Sequence, residues 1–404
     1  DGYILFLTNH DRNNSHEVYV HLSCGTRVEE LDPMTGNIET VKTCVSKTEI
    51  VFSRFFETGM SRIYFIKEGE PEKTDRISFP YRHPHYTDPV LATLGPDAEF
   101  RRTMRNVLTI DRCTYKLNNS QESDEMEIWK AQKEIREKLH MQQIYYNGAP
   151  QRYTWINKNN PNDGTLFSIC FKLEIQEDIT GDNYFVIEKP YGLKVFFDDE
   201  KCERTEGWFV DKEMTLFRLP KLTKGEHKIT VSGLYDQKRE LEDVFIIGDF
   251  AVDLSGKIFK EKDWMHTGDW CMQGYANYPG SIIYQYKVPR LMSDNRIQLH
   301  IGEWSGTLLK VRINGSDVGI HMEKKNCVTE VQGYFDKEEN LLELEIIGSP
   351  RNMFGPFHQA YTGCSRISWA DFRTEGRFHT DGKVLKPYGI FEQSYICEYK
   401  EEQI

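Results

Sequence analysis

The sequence predicts an all-β chain of tandem β-sandwiches, two of them jelly rolls, with one inserted helix. Three observations carry this. Short apolar–polar alternations of period two recur between Pro- and Gly-marked turns. A stripe with helical spacing occurs clearly once. Two long stretches repeat one another's strand order. The length of 404 residues allows two or three domains, and the aromatic content of 13% also leans toward β-structure.

Residues 1–68 are expected to form a small sandwich. Tyr3 to Leu7 is a first strand, and a polar turn follows from His10 to Ser15. Glu17 to Leu22 alternates strictly. Asp32-Pro33-Met34-Thr35-Gly36 places Pro and Gly where a tight turn needs them. Ile50-Val51-Phe52 and Ile63 to Ile66 supply further strands. Residues 69–105 carry Pro71, Pro80, Pro84, Pro89 and Pro96 and are expected to be an irregular linker. Strand pattern resumes at Val107-Leu108-Thr109-Ile110. The single helix is expected over 124–141, where Ile128, Ala131, Ile135 and Leu139 share one face and Ser123 or Asp124 supplies a cap. Its charged face, with Lys130, Lys133, Glu134 and Glu137, is expected to be solvated.

The repeat is internal. Phe167 to Lys172 matches Ile282 to Lys287 at an offset of 115 residues, and Leu193 to Asp198 matches Leu309 to Asn314 at 116. Gly225 to Val231 matches Glu338 to Leu344 at 113. A period above 100 is too long for a solenoid and fits two jelly rolls in tandem. They are placed at 106–254, with the helix as an insertion, and at 255–404.

The net charge of −12 argues against nucleic acid and against an anionic membrane surface. No apolar run is long enough for a spanning helix. The nine cysteines are scattered, without Cys-x-x-Cys spacing, and are expected to be mostly buried thiols. Those thiols, and the lack of a visible signal peptide, lean toward a reducing cytoplasm. Asn13, Asn118 and Asn314 lie in glycosylation sequons, which matter only for a secreted chain. The chain opens at Asp1 without an initiator Met and enters a strand at once, so it is expected to be a piece of a longer polypeptide.

No cofactor is expected. His83-Pro84-His85 with Asp88 nearby has metal-ligand chemistry but reads more simply as loop. Asp249 and Asp269 have the oxygen chemistry for Ca²⁺, unsupported by any calcium-loop motif. No nucleophile elbow, zinc-protease motif or phosphate loop is present.

Candidate carbohydrate-binding residues are the aromatics Trp264, Trp270, Tyr275 and Trp304, with Tyr278 close by, because sugar rings stack their C–H faces on such side chains. The alternative is that these rings fill a sandwich core. Arg351, Asn352 and His358 flank Phe354-Gly355-Pro356 and offer planar donors for hydroxyls. The alternative there is a loop tied by its own hydrogen bonds.

Several passages resemble a known family. Phe6-Leu7-Thr8-Asn9, Val18-Tyr19-Val20, Glu30 to Ile38 and Gly59-Met60-Ser61 resemble the sandwich that follows the catalytic barrel in large bacterial glycoside hydrolases, with Met60 as an insertion. Gly274-Tyr275, Tyr278 to Tyr284, Trp304-Ser305-Gly306, Val311 to Gly315, Gly348 to His358 and Tyr388-Gly389-Ile390 resemble the galactose-binding-like jelly roll of α-L-rhamnosidase-like and family-two-like enzymes. The resemblance implies a non-catalytic accessory region, partnered by an N-terminal catalytic barrel of the same polypeptide and by carbohydrate. The paired carboxylates of glycoside hydrolysis would then lie outside this chain. A stand-alone carbohydrate-binding protein and a purely structural assembly are the alternatives.

Overall fold

The computed structural model describes residues 2–399 except 12–13, 34–35, 46–48, 57, 69–88, 145–147, 326, 361–366, 368–370 and 373–374. It is all-β, with short helices only. Among the described residues no helix is long and apolar enough to cross a membrane. The His83–His85 motif lies outside the described residues.

The leading sandwich forms as its alternation requires. Gly2–Thr8, Ser61–Lys67, Arg27–Leu31 and Ile38–Thr40 make one sheet, and His16–Leu22, Ile50–Phe56 and Cys44–Val45 the other. Val18, Val20 and Leu22 point inward from one strand and meet Val28, Phe52, Tyr64 and Ile66. Gly36 closes the predicted turn, with its N–H on the Asp32 carbonyl at 2.8 Å and a positive φ of 76° that suits glycine.

The linker expectation for 69–105 fails over its C-terminal part. Val90–Thr93 and Asp97–Arg102 are strands. Both belong to the last sandwich of the chain, where Val90–Thr93 pairs with Tyr395–Tyr399 and Asp97–Arg102 pairs with Ser281–Pro289. The boundary at 255–404 is therefore corrected. The last sandwich consists of 90–102 together with 264–399, and the repeat copy at 106–259 is inserted into it.

The two copies have the same layout. In the inserted copy, Asn106–Ile110, Val244–Gly248, Tyr184–Glu188 and Asp211–Arg218 lie side by side in that order. In the host copy, Val90–Thr93, Tyr395–Tyr399, Arg296–Ile301 and Cys327–Glu330 do the same. The opposing sheets read Arg112–Leu117, Thr165–Ile175, Gly225–Tyr235, Lys194–Phe197 and Glu200–Cys202 against Asp97–Arg102, Ser281–Pro289, Glu339–Ile347, Leu308–Ile313 and Ser316–His321. Each pair of corresponding strands also falls in the same chain order. The sequence repeat is thus a repeat of topology. The connection that carries the helix in one copy carries an entire sandwich in the other.

The helix is shorter than expected, Ile128–Lys138. Residues 126–127 are instead held extended against Arg112 and Cys113, and Ser123 accepts from the Tyr115 N–H rather than capping. Ile128, Ala131 and Ile135 are fully buried as the stripe predicts. Arg136 is buried as well, its guanidinium donating to the carbonyls of Gln142, Gln237 and Arg239, whereas Lys130, Lys133, Glu134 and Glu137 all retain exposure.

Polar ties lock the inserted copy to its host. The buried Asn106 amide donates to the Phe250 carbonyl at 2.7 Å and the Gly274 carbonyl at 2.8 Å. Thr109 donates its hydroxyl to the Met353 carbonyl and its N–H to Asn277. Arg102, on a host strand, pairs with Glu261 and with Asp249. These partners satisfy groups that would be costly to bury alone.

Candidate functional site

A pocket opens where one end of the inserted sandwich meets host residues 354–358 and 371–372. Strand register explains how its acids come together. Ile110 pairs with Val244, so Asp111 and Asp243, the next residues outward, sit beside each other at the sheet end. Glu127 stands at the start of the helix, whose first N–H bonds the Asp111 carbonyl. The host supplies Phe354, Pro356, Phe357, His358, Asp371 and Phe372, and Trp129 completes the wall. Free space in the pocket is about 30 Å³, on the order of one or two waters.

The charges are arranged unequally. Asp111 Oδ2 lies 2.7 Å from His358 Nε2, and Asp111 Oδ1 lies 3.1 Å from Lys383 Nζ. Burial by itself would raise the Asp111 carboxyl. The His358 hydrogen bond and the Lys383 charge outweigh burial and hold it down at about 2. Burial likewise works against a charged His358, yet Asp111 raises its pKa overall. Asp243 has no such partner. Its Oδ1 is shielded from solvent without a hydrogen bond, and burial, then the Asp111 charge, push it up to about 7. Two neighbouring carboxyls thereby titrate in well-separated pH ranges.

A second layer continues from Glu127. Its Oε1 accepts from Lys130 Nζ at 2.7 Å and lies 3.0 Å from His379 Nε2. His379 stacks on His358 with ring centres 5.7 Å apart. The ligand atoms of Glu127, His358 and His379 all lie within 4.8 Å of one another.

Of the candidate carbohydrate-binding residues, His358 alone lines this pocket, beside Phe354 and Pro356 of the motif it follows. Trp270, Tyr275 and Trp304 correct the carbohydrate-stacking expectation, since all three are buried in the host core. Trp270 stacks on Tyr388, Tyr275 donates to Glu261 and packs edge-on against Phe100, and Trp304 donates to Cys327 Sγ beneath the Lys324 ammonium. No face of these rings is free for a sugar. Trp264 does reach solvent, at 41% exposure, with its ring edge-on to His266. Asn352 is fully buried, bonding Lys386 and Cys271, which is the loop-tying role. Arg351 is half-buried, with Nη1 unpartnered. Asp249 pairs with Arg102, and Asp269 accepts from the Cys271 and Tyr388 N–H groups.

Asp111, Glu127, Trp129, Asp243, His379 and Lys383 escaped sequence reasoning. One signal was available: Glu242-Asp243 directly precedes Val244–Gly248, a strand buried at every position. Nothing local marks His379 or Lys383.

No protein-family profile matches the sequence, and no curated protein sequence matches it. Solved structures similar to it include a rhamnosidase from Novosphingobium sp. PP1Y, at 12% identity and TM-score 0.41, over 98% of this chain and 22% of that one. A GH2 beta-galacturonidase from Eisenbergiella tayi, bound to galacturonate, matches at 11% identity and TM-score 0.22, over 62% of this chain and 38% of that one. A beta-D-mannosidase from Dictyoglomus thermophilum matches at 9% and 0.24, over 60% and 31%. This chain spans between about a fifth and two fifths of these proteins' lengths.

Proposed function

We propose that the chain is an accessory region of a glycoside hydrolase and holds carbohydrate in the pocket between its nested jelly rolls. The observation that carries the reading is the juxtaposition of Asp111 and Asp243 behind an aromatic mouth. An ionised carboxylate accepts hydrogen bonds from sugar hydroxyls, and a protonated one both accepts and donates. Trp129 and Phe372, with ring centres 6.3 Å apart, offer flat apolar faces beside them. The pocket is too small to enclose a sugar ring, so a hydroxyl reaches inward while the ring lies against the aromatics. The resemblance of residues 1–66 and 264–358 to the sandwiches of such enzymes supports the accessory role, with the catalytic barrel as the partner in the same polypeptide.

Calorimetric titration of the 404-residue chain with a panel of neutral and acidic monosaccharides and oligosaccharides tests the binding. Saturable binding that weakens in Trp129→Ala and in Asp243→Asn is expected. Absence of heat up to millimolar sugar refutes the carbohydrate reading. Turnover of aryl-glycosides by the same purified chain, lost in Asp243→Asn, refutes the accessory role and makes the split carboxylates a catalytic pair.

A further inference from the structure

We infer that Glu127, His358 and His379 form a binding site for one divalent transition-metal ion of zinc type. The inference goes beyond the carbohydrate reading and does not depend on it. Three elements distant in sequence, the helix start, the loop after Pro356 and the turn at 376–380, bring two imidazoles and a carboxylate to within 4.8 Å. Two nitrogen ligands and one oxygen ligand suit zinc and its neighbours, whereas Ca²⁺ and Mg²⁺ favour all-oxygen shells.

The hydrogen bonding of His358 points the same way. Its Nδ1 lies 2.8 Å from the Thr380 carbonyl, which can only accept, so Nδ1 carries the hydrogen. That bond fixes the ring, as an outer-shell carbonyl does for a metal-bound histidine, and leaves Nε2 as the nitrogen that can take a metal. Nε2 in turn faces Asp111 Oδ2, another acceptor. Asp111 therefore competes with the metal for Nε2, as Lys130 does for Glu127 Oε1. Independently, the Asp243 Oδ1 that lines the same pocket is a shielded carboxylate oxygen with no partner, a group that a nearby cation would stabilise. Lys130 on Glu127 and Lys383 on Asp111 are the cations that face the cluster, and Lys130 competes with the metal for Oε1.

The test uses the full chain stripped of metal by chelator and titrated separately with zinc sulfate and with calcium chloride, by calorimetry and by thermal unfolding. One zinc per chain is expected, with a rise in Tm. His379→Gln and Glu127→Gln should each weaken zinc binding by about tenfold or more, while His266→Gln, a surface histidine paired with Asp97, leaves it unchanged. Circular dichroism of His379→Gln guards against loss of fold, because this side chain is less buried than Glu127. No saturable zinc binding, equal binding by His379→Gln, or saturable calcium binding in place of zinc would each overturn the inference. None of these readouts involves sugar, so the site stands or falls apart from the carbohydrate reading.

Discussion

Replacing Asp243 with Asn should stabilise the metal-free protein at alkaline pH and leave it no more stable in acid. The native state keeps the Asp243 proton up to about pH 7, whereas a carboxyl of ordinary pKa 3.8 loses it far earlier. Between those values the folded chain holds more protons than the unfolded one, so its stability falls as pH rises. Below 3.8 both forms are protonated and the penalty vanishes. Well above 7 the penalty is complete, roughly 4 kcal/mol from the two pKa values. Asp243 retains partial exposure, and solvent screening reduces this to about 2 kcal/mol. Asn carries no charge and escapes that pH dependence. Its amide hydrogens need partners in a site that has none for Oδ1, which adds a constant cost of about 1 kcal/mol at every pH. Urea unfolding of wild type and Asp243→Asn in EDTA, at pH 4, 6 and 8, separates the two effects. The stability difference should move in favour of the variant by about 2 kcal/mol across that range. A difference independent of pH, or one that moves toward the wild type, refutes the picture of an uncompensated carboxyl. The same variant should bind sugar less well, the pattern expected where a group is retained for function at a cost in stability.

Asn106→Ala removes three hydrogen bonds at the joint between the nested sandwiches, to Phe250, Gly274 and Val107, and should cost about 2–4 kcal/mol in urea unfolding. Trp270→Ala empties a fully buried site in the host core and should cost about 3–5 kcal/mol, whereas Trp264→Ala, at an exposed position, should stay within about 0.5 kcal/mol. Trp129→Phe should retain most of the sugar affinity and Trp129→Ala should lose it, as read by calorimetry, because the mouth needs a flat ring rather than an indole N–H.

Local pattern made much of the architecture legible. Period-two alternation marked Glu17–Leu22, and the Ile128, Ala131, Ile135 stripe marked the helix, because burial of one face leaves its period in the sequence. The duplicated strand order was legible for a related reason: equivalent strands bury equivalent faces. The linker expectation failed at Asp97–Arg102 because that strand's partner, Ser281–Pro289, lies some 180 residues away. Its Asp-Ala-Glu-Phe-Arg-Arg sequence shows little apolar character of its own. The aromatic cluster misled in the opposite way. Trp270 and Trp304 are apolar in composition whether they face solvent or core, and only their neighbours decide which.

The described residues form three sandwiches, with Trp270, Tyr275 and Trp304 spent on the host core. By itself the sequence determined the β class, the repeat and the helix marked by Ile128, Ala131 and Ile135, since these follow from spacings within a few residues and from similarity between stretches. Tertiary structure decided the nesting of one copy inside the other and the site that nesting creates. Asp111 and Asp243 meet through strand register, and His358 and Lys383 reach Asp111, and His379 reaches Glu127, from more than 100 residues further along the chain. Protonation states there depend on burial and on charges a few ångströms away, quantities that exist only once the chain has folded.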